Sequence, residues 1–486
     1  MNKMKLLVGN VRCEIQEASD SQLESVRDTL TCWAPDFQFS PLYRQKLWDG
    51  KARLLKQNTF PTGCLPRVLE ELKGKVELAD HRPVRSLQLC RNVGIPLRPY
   101  QTEVVNRAFS NSFQGLWWPR GVVEVATGGG KTIIAAAMAK AAPVPSIFIV
   151  DTDELAVQAS KAFTTWGVAH SRSLEDEAQV WIITIQSLMA FRHKVNQETE
   201  SGHKRTAEQV ASIREKKAAA ELRIRTHLNR IGQVFVDEAH GIAANLSRGN
   251  LMYQALELLP NAYLRWGLTA TPFQRDSFSN LLLEGATGAR LCQVPAQQLI
   301  SLGYCSAPKI TMYRVNEPNT PTDWATSYTY GVVLSNRRND IIVRDALARR
   351  QPCLIMVDSI NHGQILQSKF AALGHRVPFL NGQESKDVRN AAVARLDAGL
   401  DPIVIASKIW SKGVDFPRLR TVIVGGAKKS GIVLKQILGR GMRTAPGKTS
   451  FDVVDFVDES TRTLRGHSME RRKVYTEQGY EVEVLD

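Results

Sequence analysis

The chain has 486 residues, 43% of them hydrophobic and 7% aromatic, an ordinary water-soluble composition long enough for about three domains. Lys and Arg outnumber Asp and Glu by 63 to 48, a formal charge of +15 that excludes an acidic, self-repelling chain and suits a polyanionic partner. The seven cysteines lie far apart without a C-x-x-C pair, which argues against structural zinc and for buried thiols in a reducing compartment. No apolar run is long enough to cross a membrane and Met1–Asn10 lacks the layout of a signal peptide, so a cytoplasmic location and no membrane partner are expected.

In chain order, residues 1–92 mix strand and helix patterns and are expected to form a small α+β accessory domain. There Arg44, Lys46, Lys51, Arg53 and Lys56 interleave with Tyr43 and Trp48, a pattern suited to phosphate contacts beside a stacking surface, although Tyr43 and Trp48 fit a core better than a ligand face. From Gly121 short β-branched runs alternate with helical stretches, as βαβ units do. Strands are expected at 121–125, 146–150, 180–184, 233–236 and 264–268, and a second series at 353–357, 377–380, 402–406, 421–424 and 451–456. Two α/β domains with parallel sheets follow, at 93–292 and 336–464. The basic, Ala-rich stretch 193–230 reads as an inserted helical hairpin or loop, the Pro-punctuated stretch 293–335 as a linker, and 465–486 as a tail.

Three motifs carry chemistry. Ala126-Thr127-Gly128-Gly129-Gly130-Lys131-Thr132 stands between a strand and a helix: the glycines let backbone N–H groups curl around phosphate oxygens, Lys131 reaches the β and γ phosphates, and Thr132 can ligate Mg²⁺. The strict phosphate-loop pattern would place Gly at Val125, so this loop is one glycine short. Asp237-Glu238-Ala239-His240 ends a buried strand; Asp237 can share the Mg²⁺ and Glu238 can orient and deprotonate water. Gln436 to Arg443 sets Arg440 and Arg443 three residues apart on a helix, suited to charge building on a transferred phosphoryl group.

Taken together these motifs resemble helicase superfamily 2 in its DEAH form. Leu97-Arg98-Pro99-Tyr100-Gln101 is similar to the adenine-recognising segment, so that the resemblance implies cofactor contacts from Arg98, Tyr100, Gln101, Thr127, Gly128, Gly129 and Gly130. It further implies such contacts from Gly413 and Asp415 in motif V, Ser411 to Pro417, and from Gln436 in motif VI. Val150 to Gln158 resembles motif Ia, Thr184-Ile185-Gln186-Ser187 motif Ib, and Thr269-Ala270-Thr271-Pro272 motif III. By the same resemblance Thr184, Gln186, His240, Thr269 and Thr271 couple the ATP site to DNA, and Arg440 and Arg443 are arginine fingers. The segment Phe39 to Arg44 with Trp48 to Leu55, and the tail around Gly466-His467-Ser468 and Arg471 to Tyr475, resemble the phage UvsW-type helicases. That likeness implies an ATP- and Mg²⁺-dependent motor on forks, Holliday junctions and R-loops, with replication or recombination proteins as possible partners and DNA contacts from Arg44, Trp48, Lys51 and Arg53. Ser407-Lys408 departs from the Thr-Asp common in motif V. An RNA helicase of the same class and a restriction-type translocation subunit are the alternative readings, although no nuclease constellation is visible in the sequence.

Overall fold

The computed structural model describes residues 3–190 apart from 75, 84–86, 91 and 175, then 215, 222, 225–243, 251–273, 276–407, 416–428 and 431–486. Contacts divide the chain into two units, one of 1–125 with 130–293 and one of 126–129 with 294–486. Most of the expected hairpin at 193–230 lies outside the described residues, as do 411–415 of motif V, with Gly413 and Asp415.

The first unit begins with β1 (Met4–Val8), β2 (Arg12–Glu17), β3 (Thr31–Trp33), β4 (Lys51–Arg53), β5 (Thr59–Pro61) and β6 (Val76–Asp80). Four of these form a sheet in the order β5-β2-β1-β6, and β3 pairs with β4 as a separate two-stranded ribbon. The strand period of two puts Met4, Leu6 and Val8 inside, and the helical period puts Leu65, Val68, Leu69 and Leu72 of the helix Leu65–Leu72 against them. This core does not close on itself. It runs on into Trp118, Leu281 and Leu282 of the following α/β region. Gly63 has no room for a Cβ against the Glu284 carbonyl, and Arg67 forks onto the Glu284 carboxylate with Nη2 2.6 Å from Oε2. The accessory region expected at 1–92 therefore shares its core with the first α/β domain. Each large apolar side chain left uncovered by removing it would lose roughly 1.5–3 kcal/mol of burial.

After the small hairpin β7 (Ser112–Phe113) and β8 (Leu116–Trp117) come β9 (Arg120–Val125), β10 (Ser146–Val150), β11 (His170–Ser171), β12 (Val180–Thr184), β13 (Gln233–Asp237), β14 (Leu264–Thr269) and β15 (Arg290–Val294). Their order is β11-β12-β10-β13-β14-β9-β15, and the pairs from β11 to β9 are all parallel. All five strands expected here are present, to within a residue at their ends. Near-continuous apolar runs such as Ser146–Val150, buried at every position, are what a parallel strand covered on both faces requires.

The second unit holds β16 (Ala307–Val315), β17 (Cys353–Val357), β18 (Phe379–Leu380), β19 (Ile403–Ser407), β20 (Thr421–Val424), β21 (Ser450–Asp458) and β22 (Val482–Leu485), all parallel, in the order β18-β19-β17-β20-β21-β16-β22. Two sequence expectations are corrected here. The stretch 293–335 is not a mere linker: it supplies β16, a nine-residue strand between β21 and β22. Pro308 is tolerated as the second residue of that strand, and Pro295, N-cap of the helix Ala296–Ser301, marks where that helix begins. Nor is 465–486 a tail, since it makes most of the helix Arg462–Glu477 and the edge strand β22. Four buried charges join these pieces: Arg471 grips Asp455 with two donors at 3.0 Å, Tyr475 Oη donates to Asp455 at 2.7 Å, and Arg338 pairs with Asp458.

Candidate active site and nucleic-acid surface

The glycine-rich loop leaves β9 and enters the helix Lys131–Ala141. Gly128 and Gly130 hold φ of 86° and 78°, a left-handed backbone that residues with a Cβ rarely adopt, and Gly130 is the helix N-cap. A Cβ on Gly130 would also stand 2.6 Å from Gln101 Nε2. Gln101 is thus seated against the loop. Its Oε1 accepts from the Arg98 backbone N–H at 2.9 Å, while Arg98 Nη1 and Gln101 Nε2 each lie 3.4 Å from the Tyr100 hydroxyl. The three residues expected at the base are one hydrogen-bonded cluster at the start of the helix Pro99–Ser110.

Across the same unit β13 delivers the acidic pair. Asp237 Oδ1 accepts from the Glu238 N–H at 3.0 Å, and Glu238 sits at φ 47°, strained for a residue with a side chain. The strain directs its carboxylate to Lys131, whose Nζ lies 3.7 Å from Oε1, and to His240, whose Nδ1 lies 3.3 Å from Oε2. Burial, and then the neighbouring Glu238 charge, pushes the Asp237 carboxyl up to about 6, with Lys131 pulling the other way. The two crowded carboxylates, and the hydroxyl of Thr132 on the helix that starts at Lys131, offer oxygen donors only. That chemistry fits Mg²⁺, which is commonly held by one or two protein groups together with substrate phosphates.

Behind the acids, Thr269 Oγ1 lies 3.0 Å from His240 Nδ1, and Thr271 Oγ1 lies 3.5 Å from the same nitrogen. Thr269 and Thr271 are buried, so neither presents a surface to nucleic acid, and their reach outward runs through His240 to Glu238. Thr184 is drawn into capping, its Oγ1 accepting the Ser187 N–H at 3.1 Å, whereas Gln186 is exposed.

In the second unit the loop residue Thr127 leaves no room for a Cβ on Gly439, and Cys305 Sγ donates to the Thr127 carbonyl at 3.8 Å. Arg440, the next residue on the helix Gly431–Gly441, is buried, and Arg443 is half-buried just beyond the helix end. The sequence gives no sign of Cys305 or Gly439 as loop neighbours, because that proximity is tertiary. The Gln436 side chain lies outside the described residues.

In the accessory region Tyr43 and Trp48, whose sequence fits a core better than a ligand face, are both half-buried. Trp33 and Phe37 stack at 4.5 Å, Tyr43 meets Phe37 edge-on at 4.9 Å, and a Cβ on Gly50 would press 2.7 Å from Phe37, so Tyr43 belongs to a half-buried aromatic cluster whose Trp33 is 51% exposed. Trp48 is half-buried and tied by its Nε1 to the Lys51 carbonyl at 3.0 Å. Asp49 engages the Arg53 guanidinium, which holds the Asp49 carboxyl down to about 2, so Arg53 is a partly compensated charge. Lys51 lies 5.8 Å over the Trp33 ring and Arg44 donates to the Gln38 carbonyl, both on exposed side chains. What faces water instead is Phe39, Leu42 and Leu47, at 64%, 54% and 71% exposure. Hydrophobicity alone does not betray that exposure, since the same letters would serve a core.

A sheet with a phosphate loop after its first strand and an acidic pair after another defines a nucleoside-triphosphate-hydrolysing α/β protein. Residues 94–274 match the family model described as "Type III restriction enzyme, res subunit", and 338–445 match "Helicase conserved C-terminal domain". The chain is 22% identical to the "ATP-dependent DNA helicase uvsW" of Enterobacteria phage T4, over 96% of this chain and 92% of that one. It is 21% identical to the "Putative ATP-dependent helicase IRC3" of Saccharomyces cerevisiae, over 78% of this chain and 54% of that one. Its fold is similar to a fragment of a putative HsdR subunit of a type I restriction enzyme from Vibrio vulnificus, with a TM-score of 0.54 and 18% identity over 86% of this chain and 74% of that one. The chain belongs to helicase superfamily 2, and it is an ATP-hydrolysing helicase. No helix among the described residues is long and apolar enough to cross a membrane.

Proposed function

We propose that this chain couples ATP hydrolysis to movement along DNA and acts on branched DNA, forks and four-way junctions among them, in replication, recombination or repair in the cytoplasm. The observation that carries the ATPase half is the strained Glu238, poised 3.7 Å from Lys131 beside Asp237. Arg98, Tyr100 and Gln101 would hold the base; Thr127 to Gly130 with Lys131 would hold the phosphates. Thr132 and Asp237 would hold Mg²⁺, which supplies charge neutralisation at the β and γ phosphate oxygens when bound. Glu238 would orient a water and take its proton as the water oxygen bonds to the γ-phosphorus and the bond to the β-γ bridging oxygen breaks, giving ADP and phosphate. Arg440 and Arg443 would neutralise the charge on the transferred group.

The branched-DNA half rests on the accessory region. Exposed Arg44, Lys46, Lys51 and Lys56 share one short segment of the chain with the outward Phe39, Leu42 and Leu47, and apolar and basic side chains together suit exposed base faces where two duplex arms part. The likeness to the phage T4 helicase points the same way. The test is ATPase stimulation compared across single-stranded DNA, duplex, fork, four-way junction and RNA of equal length. Branched DNA is expected to stimulate most; strongest stimulation by RNA would transfer the motor to the RNA class, and strongest stimulation by plain duplex would favour a restriction-type translocase.

A further inference from the structure

One patch of the second unit is unclaimed by the ATP site. β16 ends at Val315 and β21 at Asp458, and beyond those carboxyl ends lie the helices Trp324–Tyr328 and Arg462–Glu477. Sheets of this type take ligands outside the carboxyl ends of their strands. Trp324 is 37% exposed, its ring 4.6 Å from that of His467 and 5.6 Å from that of Tyr328. Both contacts are tilted, at 53° to His467 and 44° to Tyr328, so the two rings brace the indole from its edges and set its orientation while part of its surface stays open.

The helix Arg462–Glu477 separates structure from surface. Leu464, Ser468, Arg471 and Tyr475 are buried and hold the unit together, while Arg462, Arg465 and Gly466 are exposed. A Cβ on Gly466 would meet nothing within 4 Å, so neither packing nor a special backbone angle calls for glycine there. Glycine inside a helix costs stability relative to alanine, and bare backbone facing open space is what a closely approaching ligand uses. Arg462 lies one turn before Gly466 on the same face and Glu470 one turn after, so an anion would settle toward the arginine end.

We infer that Trp324, His467 and Gly466 form a stacking site for an unpaired nucleotide of single-stranded nucleic acid, with Arg462, one turn before Gly466, meeting its phosphate. A large ring together with an arginine on the exposed face of the same helix suits the two parts of a nucleotide, a base and an anion. The inference rests on the reading of the chain as a nucleic-acid motor.

The test is the affinity of the full chain for fluorescein-labelled oligothymidylate, read by anisotropy without ATP and paired with a thermal melt of each variant. Trp324→Ala should weaken binding about tenfold, the effect of losing one stacked base, and Trp324→Phe should restore most of it. Gly466→Ala is the sharper probe, because the helix gains while the site loses. The melting temperature should rise by about 1–2 °C and affinity should fall. Unchanged affinity in Gly466→Ala and in a folded Trp324→Ala would overturn the inference and leave the ring stack as packing. If Trp324→Ala fails to fold, Gly466→Ala decides alone. Failure of the wild-type chain to bind any oligonucleotide would instead remove the motor reading itself.

Discussion

The two seven-stranded sheets are built alike, yet they treat acids at their carboxyl ends in opposite ways. At the end of β13, Asp237 and Glu238 crowd each other, with Lys131 at 3.7 Å and Glu238 held in a strained backbone angle. Along β21, Asp455 and Asp458 are buried and closed off by Arg471, Arg338 and Tyr475, with a 3.2 Å bond from Arg338 Nε to the Gly425 carbonyl added. A crowded acid on a strained backbone suits chemistry, whereas acids closed into buried ion pairs fix a fold. The acids of β13 and β21 share residue type and strand position and differ in mutual crowding and backbone strain, which is the ground for proposing chemistry at the first and structure at the second.

That contrast can be broken at several points. The largest effect should come from Arg440→Ala and Arg443→Ala, each lowering kcat by about 10³ or more if they act on the transferred phosphoryl group. Steady-state kinetics that move KM alone would make them ground-state binders. Glu238→Gln should lower kcat by roughly 10²–10⁴ as a lost general base, with the melting temperature unchanged or raised because the strained residue sheds a charge. On the structural side, Arg471→Ala should cost about 3–5 kcal/mol in denaturant unfolding by stranding Asp455. Smaller effects belong to the surface. Replacing Phe39, Leu42 and Leu47 together with Ser should reduce fork regression per single-strand-stimulated turnover several-fold, with no loss of folding. An unchanged ratio would show that these side chains do not read the branch. The dependence of duplex binding on log salt should have a slope of about −0.9 per phosphate contacted, and Lys51→Ala should lower that slope by close to one contact.

Much of this was legible in the sequence. Glycines before Lys131-Thr132 after an apolar run, and Asp237-Glu238 after another, determine both the local fold and the chemistry, so strand-loop-helix and strand-acid-pair emerge as read. Runs that are apolar throughout, such as Cys353–Val357, were legible for the same reason: a parallel strand covered on both faces needs no alternation. β16 was not legible, because Pro295, Pro308, Pro318 and Pro321 punctuate its surroundings and only pairing with β21 and β22 makes Ala307–Val315 a strand. β22 and the helix before it were hidden by their charge, since a helix that buries one narrow stripe around Arg471 and Tyr475 looks like a polar tail. The exposure of Phe39, Leu42 and Leu47 was hidden because Phe37 and Tyr43 pack against Trp33 and Gly50 instead, an outcome decided by three-dimensional contacts.

The most direct test sets one acid of each sheet against the other in the same two assays, DNA-stimulated ATP turnover per folded molecule and melting temperature. Glu238→Gln should abolish most turnover and leave melting intact, while Asp455→Asn should lower melting and leave turnover intact. Tyr475→Phe, which removes only the 2.7 Å bond to Asp455, serves as the milder structural variant if Asp455→Asn does not fold. Normal turnover in Glu238→Gln, or turnover lost in a folded Asp455→Asn or Tyr475→Phe, would contradict the assignment of chemistry to the end of β13 and of stability to β21.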